Sequence, residues 1–84
     1  MVNIADKKLS DIIQMLTEIN EDLSVPRNVK DHLKTCITAL QDDVELSIKM
    51  NKAMQALDEV ANDTNLQSYT RTQIWNVASM LEKL

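Results

Sequence analysis

The absence of glycine from all 84 residues is the feature that most restricts the fold of this chain. Hairpin turns between β-strands need residues with positive φ, a conformation that glycine adopts at the least steric cost. Leu, Ala, Met, Glu, Lys and Gln, which favour helices, are abundant. The sequence therefore predicts an all-α protein whose helices are joined by turns rich in Asn, Asp and Ser.

The length of the chain predicts a single domain, residues 1–84, of nearly the smallest size that one apolar core stabilises. A domain of this size buries about 60–65% of the surface that its unfolded chain exposes. The one cysteine has no partner for an internal disulfide, which argues against a disulfide-stapled secreted scaffold.

Charge and hydropathy set expectations for location and partners. The formal net charge of −4 repels phosphate backbones, and the nine basic residues are scattered, so the composition argues against nucleic-acid binding. No signal-peptide core follows the first residue, and no apolar stretch is long enough to span a bilayer. We expect a cytoplasmic protein that does not associate with membranes.

Apolar residues recur with helical spacing in four segments, near residues 4–22, 26–40, 43–62 and 69–83. Capping-box spacing at Asp42/Glu45 and Thr70/Gln73 predicts the starts of the third and fourth helices. The four apolar stripes are Leu9, Ile12, Ile13, Leu16, Ile19 and Leu23; Val29, Leu33, Cys36, Ile37 and Leu40; Leu46, Met50, Ala53, Met54, Leu57, Val60 and Ala61; and Ile74, Val77, Ala78, Leu81 and Leu84.

The two halves of the chain resemble each other at a shift of about 41 residues. QMLTEINED at 14–22 aligns with QALDEVAND at 55–63, and three further residues in the second half bring Arg27 onto Arg71. The halves, about 9–40 and 50–84, each predict a helical hairpin. Short connections favour packing of the two hairpins as an antiparallel up-and-down four-helix bundle.

Two short motifs, VPRNVK at 25–30 and TRTQIWN at 70–76, give the chain a family resemblance. At this spacing and length the chain resembles a small archaeal family, uncharacterised protein family 0147, from about Leu9 to Leu84. The resemblance implies a compact bundle of the bromodomain-like type and an archaeal, cytoplasmic origin. It implies no activity. The turn DTNLQSYT departs from the prolines that family members tend to carry there.

His32 and Cys36 have the i, i+4 spacing of a catalytic pair or half of a metal site. Cys36 lies within an apolar stripe, however, where a thiol behaves as a small hydrophobe with a raised pKa. A structural zinc site needs four ligands, and the chain has no second histidine or cysteine. Core packing of Cys36, with His32 beside the stripe, is the favoured interpretation.

Carboxylates repeat at Glu18 and Asp22 and again at Glu59 and Asp63, which raises the hypothesis of a di-metal bundle. Such sites use inward-pointing Glu-x-x-His motifs, and one histidine does not complete them. The sequence therefore favours solvated or ion-paired carboxylates. We expect no catalytic residue, no cofactor and no metal.

Arg27 and Arg71 are predicted in the first turns of the second and fourth helices, where a cation opposes the helix dipole. One explanation is an ion pair with a carboxylate at the end of a neighbouring helix. The alternative is a site for an anionic ligand at the helix N-termini.

Trp75, the only tryptophan, lies on the shoulder of the fourth stripe. Its ring could fold over a neighbouring helix, with Arg71 one turn earlier in cation–π reach. Alternatively, it could anchor an interface. Val44 and Ile48 lie opposite the third stripe and predict a self-association patch.

The favoured hypothesis is a non-enzymatic bundle that acts by protein–protein interaction, with an unidentified protein partner or as a homodimer. The alternative is a binder of a small anionic ligand at Arg27 and Arg71.

Overall fold

The computed structural model describes residues 4–84, with side chains from Lys7 onward. All regular structure in these residues is α-helical, which confirms the predicted all-α class. The molecule is about 40 Å long and 19 Å wide. The helices are α1 (Ile4–Glu21), α2 (Arg27–Gln41), α3 (Leu46–Ala61) and α4 (Ser68–Glu82).

Each helix packs against the helix before and after it, and α1 also packs against α4, which closes the bundle. The connections span residues 22–26, 42–45 and 62–67, too short for anything but antiparallel neighbours. The first and third connections therefore lie at the same end of the molecule. The predicted four-helix bundle is confirmed.

The core is aliphatic apart from one thiol and one buried hydroxyl, that of Thr70. Burying a Leu, Ile or Val side chain contributes about 1.5–3 kcal/mol, so these residues supply most of the stability of the fold. The predicted stripes account for most of the core. The buried residues are Ile12, Leu16, Ile19, Val25, Val29, Leu33, Cys36, Leu40, Ala53, Ala56, Leu57, Val60, Leu66, Ile74, Val77 and Leu81.

Two core residues lie in connections, where helical periodicity predicts nothing. Val25 and Leu66 are 5% and 6% exposed and close the end of the core between the helices. Their main-chain N–H groups donate to the carbonyls of Asp22 and Asp63, at 3.2 and 3.3 Å. Matching turns thus occur 41 residues apart.

Leu23 is not in the core, although its spacing placed it in the first stripe. The helix ends at Glu21, and the Leu23 side chain is 94% exposed. The reason is local: the carboxylate of Asp22 accepts hydrogen bonds from the N–H and hydroxyl of Ser24, at 2.9 and 2.8 Å. This Asx turn competes with another helical turn.

The predicted start of the third helix near residue 43 is three residues early. The Asp42 carboxylate accepts the N–H of Asp43 at 2.9 Å, so no capping box forms with Glu45. Instead, the carbonyl of Glu45 accepts the N–H of Ile48 at 3.0 Å and opens the helix. Leu46, predicted in the apolar stripe, is exposed.

The second predicted capping box is also absent. α4 begins at Ser68, so Thr70 lies within its first turn rather than before it. Thr70 is 2% exposed and packs as part of the interior. No side chain caps the start of this helix, which follows Gln67 in an extended conformation.

Candidate functional site

Asp63, in the connection between α3 and α4, joins three parts of the structure. One carboxylate oxygen accepts the N–H of Asn65 at 2.8 Å, and the other accepts the side-chain amide of Asn28 on α2. Its main-chain carbonyl accepts a hydrogen bond from Nη2 of Arg71 on α4, at 2.8 Å. We call Asn28, Asp63, Asn65 and Arg71 the Asp63 cluster.

The environment of the cluster stabilises the charged carboxylate. The Asn65 N–H and the Asn28 amide lower the pKa of Asp63 below its ordinary value of 3.8, and the charges of Arg71 and His32 add to the effect. The pKa of Asp22 is lowered in the same direction, chiefly by the backbone and hydroxyl of Ser24. Both groups act as turn-forming acceptors.

Arg71 binds the C-terminal end of α3. Its Nε donates to the carbonyl of Ala61 at 3.2 Å, and its Nη2 donates to that of Asp63. The guanidinium thus lies where the negative end of the α3 dipole favours a cation, although Arg71 itself is near the start of α4. Its hydrogen bonds go to main-chain carbonyls rather than to a carboxylate.

Arg27, the residue aligned with Arg71, is exposed at the first position of α2. The structure thus places the two arginines in different environments. Binding of an anionic ligand by Arg27 and Arg71 stays a prediction.

His32 connects α2 to α3 at the side of the Asp63 cluster. Its Nδ1 lies 2.8 Å from the carbonyl of Asn28, and its Nε2 lies 2.7 Å from a carboxylate oxygen of Glu59. The carbonyl and carboxylate oxygens both act as acceptors. Because both side chains are largely exposed, such a pair contributes at most about 1 kcal/mol.

Whereas the His32 side chain is partly exposed, Cys36 is buried. Its side chain has no exposed surface, and Sγ lies 3.7 Å from the carbonyl of Ala53. Burial raises the pKa of the thiol from 9.0 to about 12, so the nucleophilic thiolate is scarce at neutral pH. The two residues therefore do not form a shared reactive site.

The duplicated carboxylates lie in separate surroundings. Within the described part of the chain, no three His, Cys, Asp or Glu side chains are placed to hold one ion. Glu59 faces His32, Asp63 belongs to its turn, and Glu18 is exposed on α1.

A shallow groove of about 450 Å³ runs between α2 and α3. Lys34 and Lys52 contribute positive charge there, and Asp31 and Asp42 contribute negative charge. The mixed rim gives the groove no single electrostatic preference.

The outward side of α4 differs in character from the rest of the surface. Both aromatic residues of the chain lie there in water: Tyr69 is 69% exposed and Trp75 is 59% exposed. A hydrogen bond of 3.4 Å joins Gln73 to the Tyr69 hydroxyl. We call this surface the α4 face; it comprises Ser68, Tyr69, Thr72, Trp75, Asn76 and Ser79.

The α4 face carries no charge. Arg71 is the only charged residue between Ser68 and Leu81, and it is bound to the end of α3. The exposed sides of the other helices all carry charges near their middles. Examples are Asp11 and Glu18 on α1, Asp31 and Lys34 on α2, and Lys52 and Asp58 on α3.

The predicted interface residues lie in two places. Val44, expected to be exposed, is half-buried in the connection before α3, and Ile48 is 43% exposed in the first turn of that helix. Trp75 lies at the middle of α4. Its exposure does not favour a ring folded over a neighbouring helix.

Sequence reasoning missed Asn28, Asn65 and Tyr69 as site residues. The amides had no signal, because their roles depend on the position of Asp63 after folding. The α4 face did have a signal in the sequence, because residues 68–81 contain one charged residue and both aromatic residues.

Among the described residues, no helix combines the length and apolarity needed to cross a bilayer. The fold and its surfaces define a small four-helix-bundle protein with a polar interhelical cluster at one end and an uncharged aromatic face on its last helix.

This chain belongs to the Uncharacterised protein family (UPF0147), whose family model matches residues 1–84. The resemblance inferred from the two motifs is thereby confirmed as to family. A UPF0147 protein of Sulfurisphaera tokodaii is 38% identical, with 92% of this chain and 88% of the relative covered. A UPF0147 protein of Archaeoglobus fulgidus is 33% identical, covering 100% of this chain and 97% of the relative.

A solved structure supports the fold. The crystal structure of the unknown-function protein MMP1188 is similar to this chain with a TM-score of 0.90 and 40% sequence identity. The similarity covers 100% of this chain and 96% of that one.

Proposed function

We propose that this protein acts without catalysis, through protein–protein contact, and that it self-associates. The observation that carries the proposal is the exposure of Trp75 and Tyr69, the only aromatic side chains, on the uncharged α4 face. Aromatic residues are enriched and charged residues depleted at the centres of protein interfaces, and tryptophan and tyrosine dominate their binding energy.

The chemistry of the remaining residues supports a non-catalytic role. Cys36 is buried and its thiol is protonated at neutral pH, which removes the strongest nucleophile of the chain from solvent. His32 is held between a main-chain carbonyl and the Glu59 carboxylate. These contacts stabilise the bundle and leave the α4 face as its most distinctive surface.

Size gives a second physical reason for association. The net stability of a domain this small is modest, at about 0.05–0.15 kcal/mol per residue, and small domains often gain more by covering leftover apolar surface. Two such surfaces are available, the α4 face around Trp75 and the patch at Val44 and Ile48.

Sedimentation velocity from low to high micromolar concentration tests the proposal. We expect the mass to rise from 9.6 kDa toward twice that value. Ile48→Asp tests the α3 patch, with Ser47→Asp as the control that adds the same charge at the adjacent exposed position. A chain that stays monomeric at high micromolar concentration would contradict self-association.

A further inference from the structure

We infer that a second copy of this chain packs against the α4 face, antiparallel, about a two-fold axis that passes beside Trp75. This inference rests on the proposed function and assigns its contact surface, symmetry and register.

Charge favours a second copy at this surface. Two molecules that each carry a net charge of −4 repel one another, and like charges brought together at an interface oppose binding. On α1, α2 and α3, self-packing would bury charged side chains, which costs free energy unless each one is paired. The α4 face avoids this cost, because its exposed residues from Ser68 to Ser79 are all neutral.

The position of Trp75 suits two-fold symmetry. α4 has 15 residues from Ser68 to Glu82, and Trp75 is its central residue. In an isologous antiparallel pair, the central residue of one helix meets its own copy, and residues on either side exchange partners. Trp75 therefore meets the second Trp75, which pairs the two largest exposed rings at the centre of the interface.

Small side chains make the close approach possible. Thr72, Asn76 and Ser79 follow one another at helical spacing along the middle of the exposed side. With Trp75 at the centre, Thr72 faces residue 78 of the second copy, so Thr72 and Ser79 of the two copies are offset by only about 1.5 Å along the helix axis. Neither is bulky enough to hold the helices apart.

The size of the face limits the area that a second copy can bury. A helix of 15 residues is about 22 Å long, so one helix pair with its flanks falls at the low end of interface sizes, below about 1,200 Å² in total. Interfaces of that size are weak or transient. We expect dissociation in the micromolar range rather than a permanent dimer.

Intrinsic fluorescence gives a site-specific test, because Trp75 is the only tryptophan. As concentration rises through the dimerisation range, we expect its emission to shift to the blue and acrylamide quenching to weaken. Trp75→Asp and Thr72→Arg should each weaken dimerisation at least about tenfold in sedimentation, while Trp75→Phe keeps most of it.

Disulfide trapping tests the register. Thr72→Cys in one chain and Ser79→Cys in a second, size-tagged chain should cross-link to each other under mild oxidation. Two copies of Thr72→Cys lie about 9–10 Å apart along the helix axis, beyond the limit of about 7 Å between Cα atoms for a disulfide. The parent chain is the control, since its only thiol, Cys36, is buried.

The outcomes separate this inference from the proposed function. Preferential Thr72–Ser79 cross-links together with the fluorescence shift support the inference. A dimer that Ile48→Asp disrupts and Trp75→Asp leaves intact overturns the α4 arrangement but keeps self-association. Self-cross-linking of Thr72→Cys overturns the antiparallel register. A monomer at all concentrations overturns both.

Discussion

Leu16 and Leu23 provide a sharp test of how the first helix ends, because they are seven residues apart and periodicity treats them alike. In the structure Leu16 has no exposed surface, whereas Leu23 is 94% exposed beyond the end of α1. Leu16→Ala removes buried methyl groups and leaves a cavity, which costs about 2–5 kcal/mol. Leu23→Ala changes only solvated surface and should alter stability by no more than about 0.5 kcal/mol.

The expected loss is large relative to the whole stability of such a domain. At about 0.05–0.15 kcal/mol per residue, 84 residues give roughly 4–13 kcal/mol. A loss of about 3 kcal/mol lowers Tm by roughly 12–24 °C in a domain of this size. The Tm of Leu16→Ala should therefore lie far below that of the parent, and the Tm of Leu23→Ala should be close to that of the parent.

Urea unfolding followed by far-UV circular dichroism gives both free energies, provided that the slope m is the same in all three proteins. The measurement belongs at low micromolar concentration, where association contributes least. If Leu23→Ala costs as much as Leu16→Ala, the helix continues through residue 23 and the Asx turn at Asp22 does not end it.

Three further predictions concern individual polar groups. Arg71→Ala should lower the free energy of unfolding by about 1–2 kcal/mol, because the charge-assisted bonds to the carbonyls of Ala61 and Asp63 are lost, whereas Arg27→Ala should leave it nearly unchanged in the same urea assay. Equal effects would refute the asymmetry between the arginines. Because the folded-state pKa of Asp63 is lowered, its contribution to stability is present above pH 3.8 and is lost as pH falls through the folded value. Asp63→Asn should flatten the loss of stability in acid, and an unchanged acid profile would contradict this role. Cys36 should react with a thiol reagent only as fast as the protein opens, and stability should decline above pH 9.0, where the unfolded thiol ionises and the folded one does not. Rapid labelling under native conditions would show an accessible thiol.

The sequence predicted the core well because helical spacing and burial have one cause. A residue at the centre of a stripe, such as Leu33 or Val77, faces the other helices whatever the details of the turns. Helix ends depend instead on competition between one more helical hydrogen bond and a local side-chain bond. The carboxylates of Asp22 and Asp42 accept hydrogen bonds from the backbone that follows them. As a result, α1 ends earlier and α3 begins later than the sequence predicted.

The aligned arginines show why similar sequence did not predict a similar site. Arg27 is the first residue of α2, whereas Arg71 is the fourth residue of α4, nearly one helical turn further in. The structure keeps the shift of 41 residues through the turn, where Val25 matches Leu66, and the first residue of α2 matches Ser68, so the two arginines do not occupy equivalent positions. From its position Arg71 reaches the last carbonyls of α3, and Arg27 remains exposed. The connections before the two helices differ by one residue, so the three-residue adjustment that aligned the arginines in sequence has no counterpart in the structure.

Trp75 remained ambiguous in sequence because a residue on the shoulder of a stripe is covered only if a neighbouring helix carries side chains that meet it. A substitution separates the two interpretations. If the ring packed into the bundle, Trp75→Ala would cost about 3–5 kcal/mol of folding stability. With the ring 59% exposed, we expect a loss below about 1.5 kcal/mol in the monomer. The same change should weaken self-association, because the ring would otherwise cover apolar surface on the second copy. Calorimetry at low concentration and sedimentation at high concentration measure the two effects separately. Severe destabilisation of the monomer would show that the tryptophan serves the fold, and the α4 face would then lose its anchor.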